Sequence, residues 1–297
     1  MVKTNMETVL EVKNLAKDYE SFSLNDISFK VKKGSITGFL GINGSGKTTT
    51  IKSLAGLTLP TSGEIYFFGE KIDSKNESRI KSKIAFLLDG NYYYPELKLK
   101  VMKKIFSRAY PNWDENVFNK LMQAFELNPN QKISTLSKGM KARFSLALAL
   151  SHGAELIIMD EPTEGLDPLM RESFVCILKD LAQKGITIFL SSHITSDLDK
   201  IADEVILIHD GNIMLQEEMK NLKASYFAVS GDISMLSGDN EKMFLRISKD
   251  ENEFTGTYRG NKDDILNQFP DAKIRSANLE EIMFGNIMKS GRRIPKI

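Results

Sequence analysis

Residues 41–48 read GINGSGKT: Gly41, Ile42, Asn43, Gly44, Ser45, Gly46, Lys47 and Thr48. They fit G-x-x-x-x-G-K-[ST], in which glycines let a tight turn bring successive backbone N–H groups onto one anion. The five residues before it, ITGFL, form a short apolar run that reads as a buried strand. Residues 48–55 read as a helix whose positive end points back into the turn. Strand, glycine turn and helix together predict a cradle for the phosphates of a nucleoside triphosphate. Lys47 is expected to reach the outer two phosphates, and the Thr48 hydroxyl to ligate Mg²⁺. Gly41, Ile42, Asn43, Gly44, Ser45, Gly46 and Thr49 complete the expected ATP-binding loop. Kinases, GTPases and motor ATPases share such a turn, so other residues must choose among them.

Residues 156–161, LIIMDE, are a four-residue apolar run ending in two carboxylates. A buried parallel strand ending at the carboxyl edge of a sheet reads this way. Asp160 is expected to hold Mg²⁺, and Glu161, one residue on, to polarise an attacking water. Upstream lies STLSKGMKARFSLALAL, where Ser137 and Gly139 precede a long apolar helix. A serine and exposed N–H groups at a helix start make a second anion site. It lies 23 residues before Asp160 (160 − 137). Two phosphate-binding ends in one chain predict two chains closing around two nucleotides.

The order of these motifs resembles the ATP-binding-cassette (ABC) ATPases. The order is phosphate loop, Leu136-Ser137-Lys138-Gly139-Met140, then LIIMDE, Gly165-Leu166-Asp167 and His193. LSKGM is similar to that family's signature, with Lys138 and Met140 as departures. EPTEGLDP (161–168) resembles its stretch from catalytic glutamate to D-loop, and Ser191-Ser192-His193 its switch histidine. The resemblance spans residues 7–215. It implies catalytic roles for Glu161 and His193, and ATP contacts from Ser137 and Gly139 of a facing chain. It also implies adenine stacking by Tyr19, 28 residues before Lys47 (47 − 19). One element departs. Where the family carries a glutamine on Mg²⁺, this chain has Asp89, 42 residues after Lys47 (89 − 47). Asp89 is expected either to ligate the metal or to be only a turn residue ahead of Gly90.

The fold class implied is α/β: a P-loop NTPase of the ABC cassette type. Its parts are a mixed-sheet core, an antiparallel β subdomain, a helical subdomain and a small C-terminal α+β appendage. Alternating Val9, Val12, Phe22, Leu24, Ile27, Phe29 and Val31 predict antiparallel strands that frame the adenine side. Trp113, Val117, Leu121 and Phe125, four residues apart, predict a helix with one apolar face, Trp113 serving as core or staple. After residue 218 the texture changes. SYFAVSG, KMFLRIS and FTGTYRG read as strands, and KDDILNQF and NLEEIMFGNIM as helices, the last capped by Asn278 with Glu281 three residues on. The expected division is a nucleotide-binding domain over 7–218 and an accessory domain over 219–297.

Composition excludes several classes. Lys plus Arg is 40 and Asp plus Glu is 39, so charge gives no reason to expect nucleic acid. One cysteine, Cys176, rules out an internal disulfide framework. The apolar windows are far shorter than the ~18 residues that span a bilayer, so the chain is not expected to cross a membrane itself. His152 and His209 sit at element ends and are expected to be structural.

The resemblance implies an ATP-hydrolysing transporter subunit at the cytoplasmic face of the cell membrane. It would act with ATP and Mg²⁺ on a separate transmembrane permease subunit, as a homodimer or with a paralogous ATPase. The tail and PNWDENVF resemble the subfamily exporting antibiotics and membrane-active peptides, including the phenol-soluble modulin exporters. The run Tyr92-Tyr93-Tyr94-Pro95 is either that permease's contact surface or core packing. The alternative is a soluble ABC ATPase acting on ribosomes or DNA. Such chains carry two cassettes or a long coiled-coil insertion, and this sequence has one cassette and no heptad run.

Overall fold

The computed structural model describes residues 7–88 and 93–291. The alternating N-terminal residues form β1 (Thr8–Asp18) and β2 (Ser23–Lys32), paired antiparallel. The apolar run before the glycine turn is β3 (Ile36–Leu40), buried at every position, and the turn feeds α1 (Lys47–Leu54). β4 (Ser62–Phe67) and β5 (Glu70–Lys71) join the first two strands in a four-stranded antiparallel sheet ordered β2-β1-β4-β5. A short α2 (Glu77–Lys81) then leads into β6 (Ile84–Leu87).

A helical block follows: α3 (Leu99–Ala109), α4 (Glu115–Ala124) and α5 (Lys138–Ser151). Its core gathers Leu99, Met102, Phe118, Met122 and Phe144. The buried stripe of α4 is therefore centred one residue past the expected one. Phe118 and Met122 are buried, while Val117 stays half exposed. The reason lies in the cap. Asp114 caps α4, and Trp113 just before it packs on Phe118 with ring centroids 5.3 Å apart. That is a hydrophobic staple, and it fixes which face turns inward.

The core alternates β7 (Leu156–Asp160), α6 (Pro168–Gln183), β8 (Thr187–Ser192), α7 (Thr195–Ile201), β9 (Glu204–His209) and β10 (Asn212–Glu218). With β3 and β6 these strands make a six-stranded sheet, ordered β10-β9-β3-β8-β7-β6. β10 alone runs antiparallel to its neighbour; the pairs from β9 to β6 are parallel. One face packs on the antiparallel sheet, where Phe29, Phe39 and Phe189 meet at 5.4–5.7 Å. Such ring pairs contribute roughly 0.5–1.5 kcal/mol each beyond area burial. The other face packs on α6 and α7.

The C-terminal unit holds α8 (Met219–Ser225), β11 (Tyr226–Asp232), β12 (Phe244–Lys249), β13 (Glu253–Arg259), α9 (Lys262–Gln268), β14 (Lys273–Ser276) and α10 (Leu279–Lys289). Its sheet is ordered β12-β13-β11-β14. Both expected helices are present, and Asn278 and Glu281 form a reciprocal capping box on α10. The unit is not loosely appended. Leu279, Ile282, Met283 and Ile287 of α10 share one core with Leu198 and Ile201 of α7.

Candidate functional site

Three parallel strands end at one sheet edge, and this gathers the site. β3 runs into the glycine turn, β7 ends at Asp160, and β8 ends at Ser192. Leu40 pairs with Ser192, and Asp160 with Ser191, so the three tips are in register. Ligands of open parallel sheets bind at such carboxyl edges, where strand order reverses. Here β3 sends its connection toward one side and is flanked by β8 and β9.

The turn explains its own glycines. Gly46 sits in left-handed geometry (φ 112°), and a Cβ there would lie 2.5 Å from Leu24. Gly41 answers to space instead of to dihedral angle, because its Cβ would come within 2.4 Å of the Ile208 carbonyl. Lys47 is 5% exposed, and its ammonium has three protons to place. They face the Gly41 carbonyl at 2.7 Å, the Ile42 carbonyl at 3.2 Å and Glu161 Oε1 at 3.2 Å. An arriving phosphate must take the place of one of these acceptors.

Glu161 is the hub. Its Oε2 lies 2.9 Å from His193 Nδ1 and accepts the His193 backbone N–H at 3.2 Å. The ring proton on Nδ1 makes that contact and leaves Nε2 for another partner. Glu161 also holds φ of +48°, unusual for a residue with a side chain. Such a turn persists when its surroundings over-determine it. Ser191 Oγ supplies one restraint, accepting the Glu161 N–H at 3.0 Å while donating to Asp160 Oδ1 at 2.6 Å. The sequence names Ser191 only as a neighbour of His193; its bonds to Asp160 and to the Glu161 N–H depend on β7 and β8 lying side by side.

A pocket of about 360 Å³ is lined by residues 43–49, Lys52, Asp160, Glu161, Glu164 and His193, with Phe22. It thus brings together Asn43, Gly44, Ser45, Gly46, Lys47, Thr48, Thr49, Asp160, Glu161 and His193. Tyr19 is not in that lining. It sits on the β1–β2 turn, 47% exposed, with the Lys17 ammonium 5.5 Å above its ring. Phe22 lines the pocket instead, three residues later. Ser137 and Gly139 also lie outside it, at the start of α5. Ser137 caps that helix by accepting the Met140 N–H at 3.2 Å, and Gly139 is buried against Met170. Asp89 and Tyr92 fall outside the described residues.

The donor set suits a triphosphate with a hard cation. Ser45 Oγ, on the loop, is buried without a hydrogen-bond partner among the described residues. Thr48 is exposed at the first turn of α1. Among the described residues no three His, Cys, Asp or Glu side chains form a cage. A cation held by one or two protein oxygens plus phosphates needs none, which is how Mg²⁺ binds.

Beside this pocket runs an apolar groove of about 620 Å³ between the core sheet and the helical block. Leu57, Phe86, Tyr93, Phe106, Tyr110 and Leu148 line it, together with Asp160 and Glu161. Tyr93 donates to Ser145 Oγ at 2.8 Å, and burial pushes its hydroxyl pKa up to about 12. Tyr93 packs against Phe106 and Phe144 while it also lines the groove, and Tyr94 is 66% exposed. His152 is buried and stacked on Tyr110, centroids 4.0 Å apart.

Residues 24–164 match the family model described as ABC transporter. The chain belongs to that family: it is an ATP-binding subunit of an ABC transporter, and an ATPase. The bacitracin transport ATP-binding protein BcrA of Bacillus licheniformis is 37% identical over 222 residues, 73% of this chain and 72% of that one. The ABC transporter ATP-binding protein YtrB of Bacillus subtilis (strain 168) is 28% identical over 289 residues, 92% of this chain and 96% of its own. A solved ATP-binding subunit of an ABC transporter matches with a TM-score of 0.65 at 28% identity, over 73% of this chain and 92% of that one. A dimeric cassette bound to ADP and Pi shares the fold at 24% identity and a TM-score of 0.63, over 71% of this chain and 98% of that one.

Proposed function

We propose that this chain powers export of an antibiotic, lipid-like or membrane-active peptide cargo through a separate transmembrane subunit, from the cytoplasmic face of the membrane. The observation that carries the reading is the convergence of Lys47, Asp160, Glu161 and His193 on one sheet edge beside an apolar groove. The cargo class rests on the 37% identity to a bacitracin transport protein. No helix among the described residues is long and apolar enough to cross a membrane, which fits a separate permease.

In this reading the loop N–H groups and Lys47 hold the β- and γ-phosphates. Thr48 and Asp160 would hold Mg²⁺, which would supply neutralisation of phosphate charge. Glu161 orients the water, and His193 steadies the γ-phosphate through Nε2. Little covalent chemistry falls to the protein; positioning and charge stabilisation carry the rate. Two chains close head to tail, so Ser137 and Gly139 complete the other chain's γ-phosphate shell. That placement accounts for their lying outside the pocket of their own chain. The groove receives an apolar helical segment of the permease. Residues 7–218 form the cassette and 219–297 an accessory unit, a division supported by the separate C-terminal sheet.

Reconstitution with the permease in vesicles tests this. ATP should drive uptake of an amphipathic peptide antibiotic into inside-out vesicles. Glu161→Gln should lose that uptake, with hydrolysis slowed roughly 10²- to 10⁴-fold. ATP binding should survive and an ATP-dependent dimer accumulate. Adding Ser137→Arg should return the trapped dimer to monomer. Parent-rate hydrolysis by Glu161→Gln removes the catalytic reading; a dimer that survives Ser137→Arg removes the sandwich.

A further inference from the structure

We propose that Asp197 is a positioning residue for ATP hydrolysis, acting through a buried bond to Thr163. The inference rests on the reading of Glu161 as the water-orienting group. Thr163 follows Glu161 by two residues, and Asp197 follows His193 by four, in the first turn of α7. Thr163 Oγ1 donates to Asp197 Oδ2 at 2.7 Å. Both residues are buried, at 2% and 3% exposure. A carboxylate so far from water is costly unless hydrogen-bonded. The bond therefore strongly prefers to stay made.

What it ties together gives it a function. The segment from 160 to 163 carries Glu161 in its left-handed turn, and the segment from 191 to 197 carries His193. Ser191 joins the two at the entrance, through Asp160 and the Glu161 N–H. The Glu161 carboxylate joins them in the middle, through His193. Thr163–Asp197 joins them at the exit. Backbone bonds stiffen each side: Glu164 N–H to the Glu161 carbonyl at 3.2 Å, and Asp197 N–H to the Ile194 carbonyl at 3.3 Å. Removing the exit tie leaves the strained turn held at one end and by its own working carboxylate. That carboxylate then shifts relative to Lys47 and His193, while the phosphate loop, which the bond does not touch, keeps its shape. The consequence is a loss in turnover with nucleotide binding preserved.

Thr163→Val keeps the shape and removes the donor; Thr163→Ser keeps the donor. Steady-state ATPase rates, binding of a fluorescent ATP analogue and melting curves on the full chain separate the roles. Thr163→Val should lower kcat by roughly 10- to 100-fold, the range that about 1 Å of misplacement of a positioned group costs. KM and analogue affinity should stay within about twofold, and Thr163→Ser should recover kcat to within about threefold. If Thr163→Val does not fold, Asp197→Leu, which removes the acceptor of the same bond, takes its place with the same expected loss of kcat, and Asp197→Asn, which keeps an acceptor, should recover kcat as Thr163→Ser does. Combining Thr163→Val with Glu161→Gln should cost nothing beyond Glu161→Gln alone, because the clamp acts through that carboxylate. A lower melting temperature with unchanged kcat per folded molecule overturns the clamp while leaving Glu161 in place. Full multiplication of the two losses overturns it as well. Parent-rate hydrolysis by Glu161→Gln itself overturns both readings together.

Discussion

The phosphate-loop pocket and the apolar groove share Asp160 and Glu161 in their walls, yet they are built from opposite materials. The pocket is made of backbone, one buried lysine and carboxylates, in a turn that glycines alone can follow. The groove is made of ring faces and aliphatic side chains from two packed blocks, with Lys138 and Lys141 also in its lining. The first can recognise charge with fixed dipoles. The second can recognise shape and hydrophobic area, as partner interfaces do in their cores. The two meet at one pair of carboxylates, so in the proposed reading a movement of the groove wall relative to the sheet edge would reach the group that orients the water.

The comparison breaks most violently at Lys47. Lys47→Ala removes the buried cation between the loop carbonyls and Glu161, and leaves Glu161 Oε1 without its cationic partner. ATP affinity should fall by at least 100-fold, about 2.8 kcal/mol at tenfold per 1.4 kcal/mol. The groove should be untouched, so permease binding in detergent should persist. Calorimetry with Mg·ATP and a pull-down check the two halves. Unchanged nucleotide affinity would mean the loop does not hold phosphates.

How much of each region the sequence discloses follows from the same contrast. GINGSGKT and LIIMDE are legible because their chemistry is local: each motif sits on one strand tip, and neighbouring residues fix its shape. The Ser191 bonds and the Thr163–Asp197 tie were invisible because they depend on which strand lies beside which. That Phe22 lines the pocket wall depends on how the β1–β2 turn folds over the loop. The groove was least legible of all. Its walls come from residues 55 to 162, brought together only by packing. The four-residue spacing from Trp113 found the side of α4 that packs inward, since Trp113, Leu121 and Phe125 lie against the helical core, but not its deepest residues, Phe118 and Met122, which the staple on Phe118 turns inward. In the C-terminal unit, the three longer strands and the helices α9 and α10 could be read, but the seven-residue α8 and β14, four mostly exposed residues, were not.

A smaller effect sharpens the other side of the comparison. Leu57 lines the groove and is 57% exposed, so a charge there does not disturb the fold. Leu57→Glu should leave basal hydrolysis within about twofold of the parent. Against an apolar permease segment the buried carboxylate costs more than about 1.4 kcal/mol, and affinity for the permease falls about tenfold or more. Stimulation of hydrolysis by the permease should fall with it. Parent-like stimulation would move the docking surface away from the groove.

The smallest effect lies in the groove's buried imidazole. His152 caps the C-terminal end of α5 and stacks on Tyr110. Burial holds its pKa below the ordinary 6.5, against a weaker opposite pull from a hydrogen bond to the Ser82 backbone. The unfolded chain therefore takes up this proton at a higher pH than the folded one. Above about pH 6.5 neither state is protonated and His152 adds no pH dependence. As pH falls below that value, the unfolded state gains protons first and stability is lost, by at most about 1.4 kcal/mol per pH unit until the folded pKa is reached. His152→Phe keeps a ring against Tyr110 and cannot titrate. Urea midpoints at pH 7.5 and 5.5 should drop less for this variant than for the parent, once the carboxylates common to both are subtracted. An equal drop would mean that the groove accepts a charged imidazole without cost, and the apolar character assigned to it would then need revising.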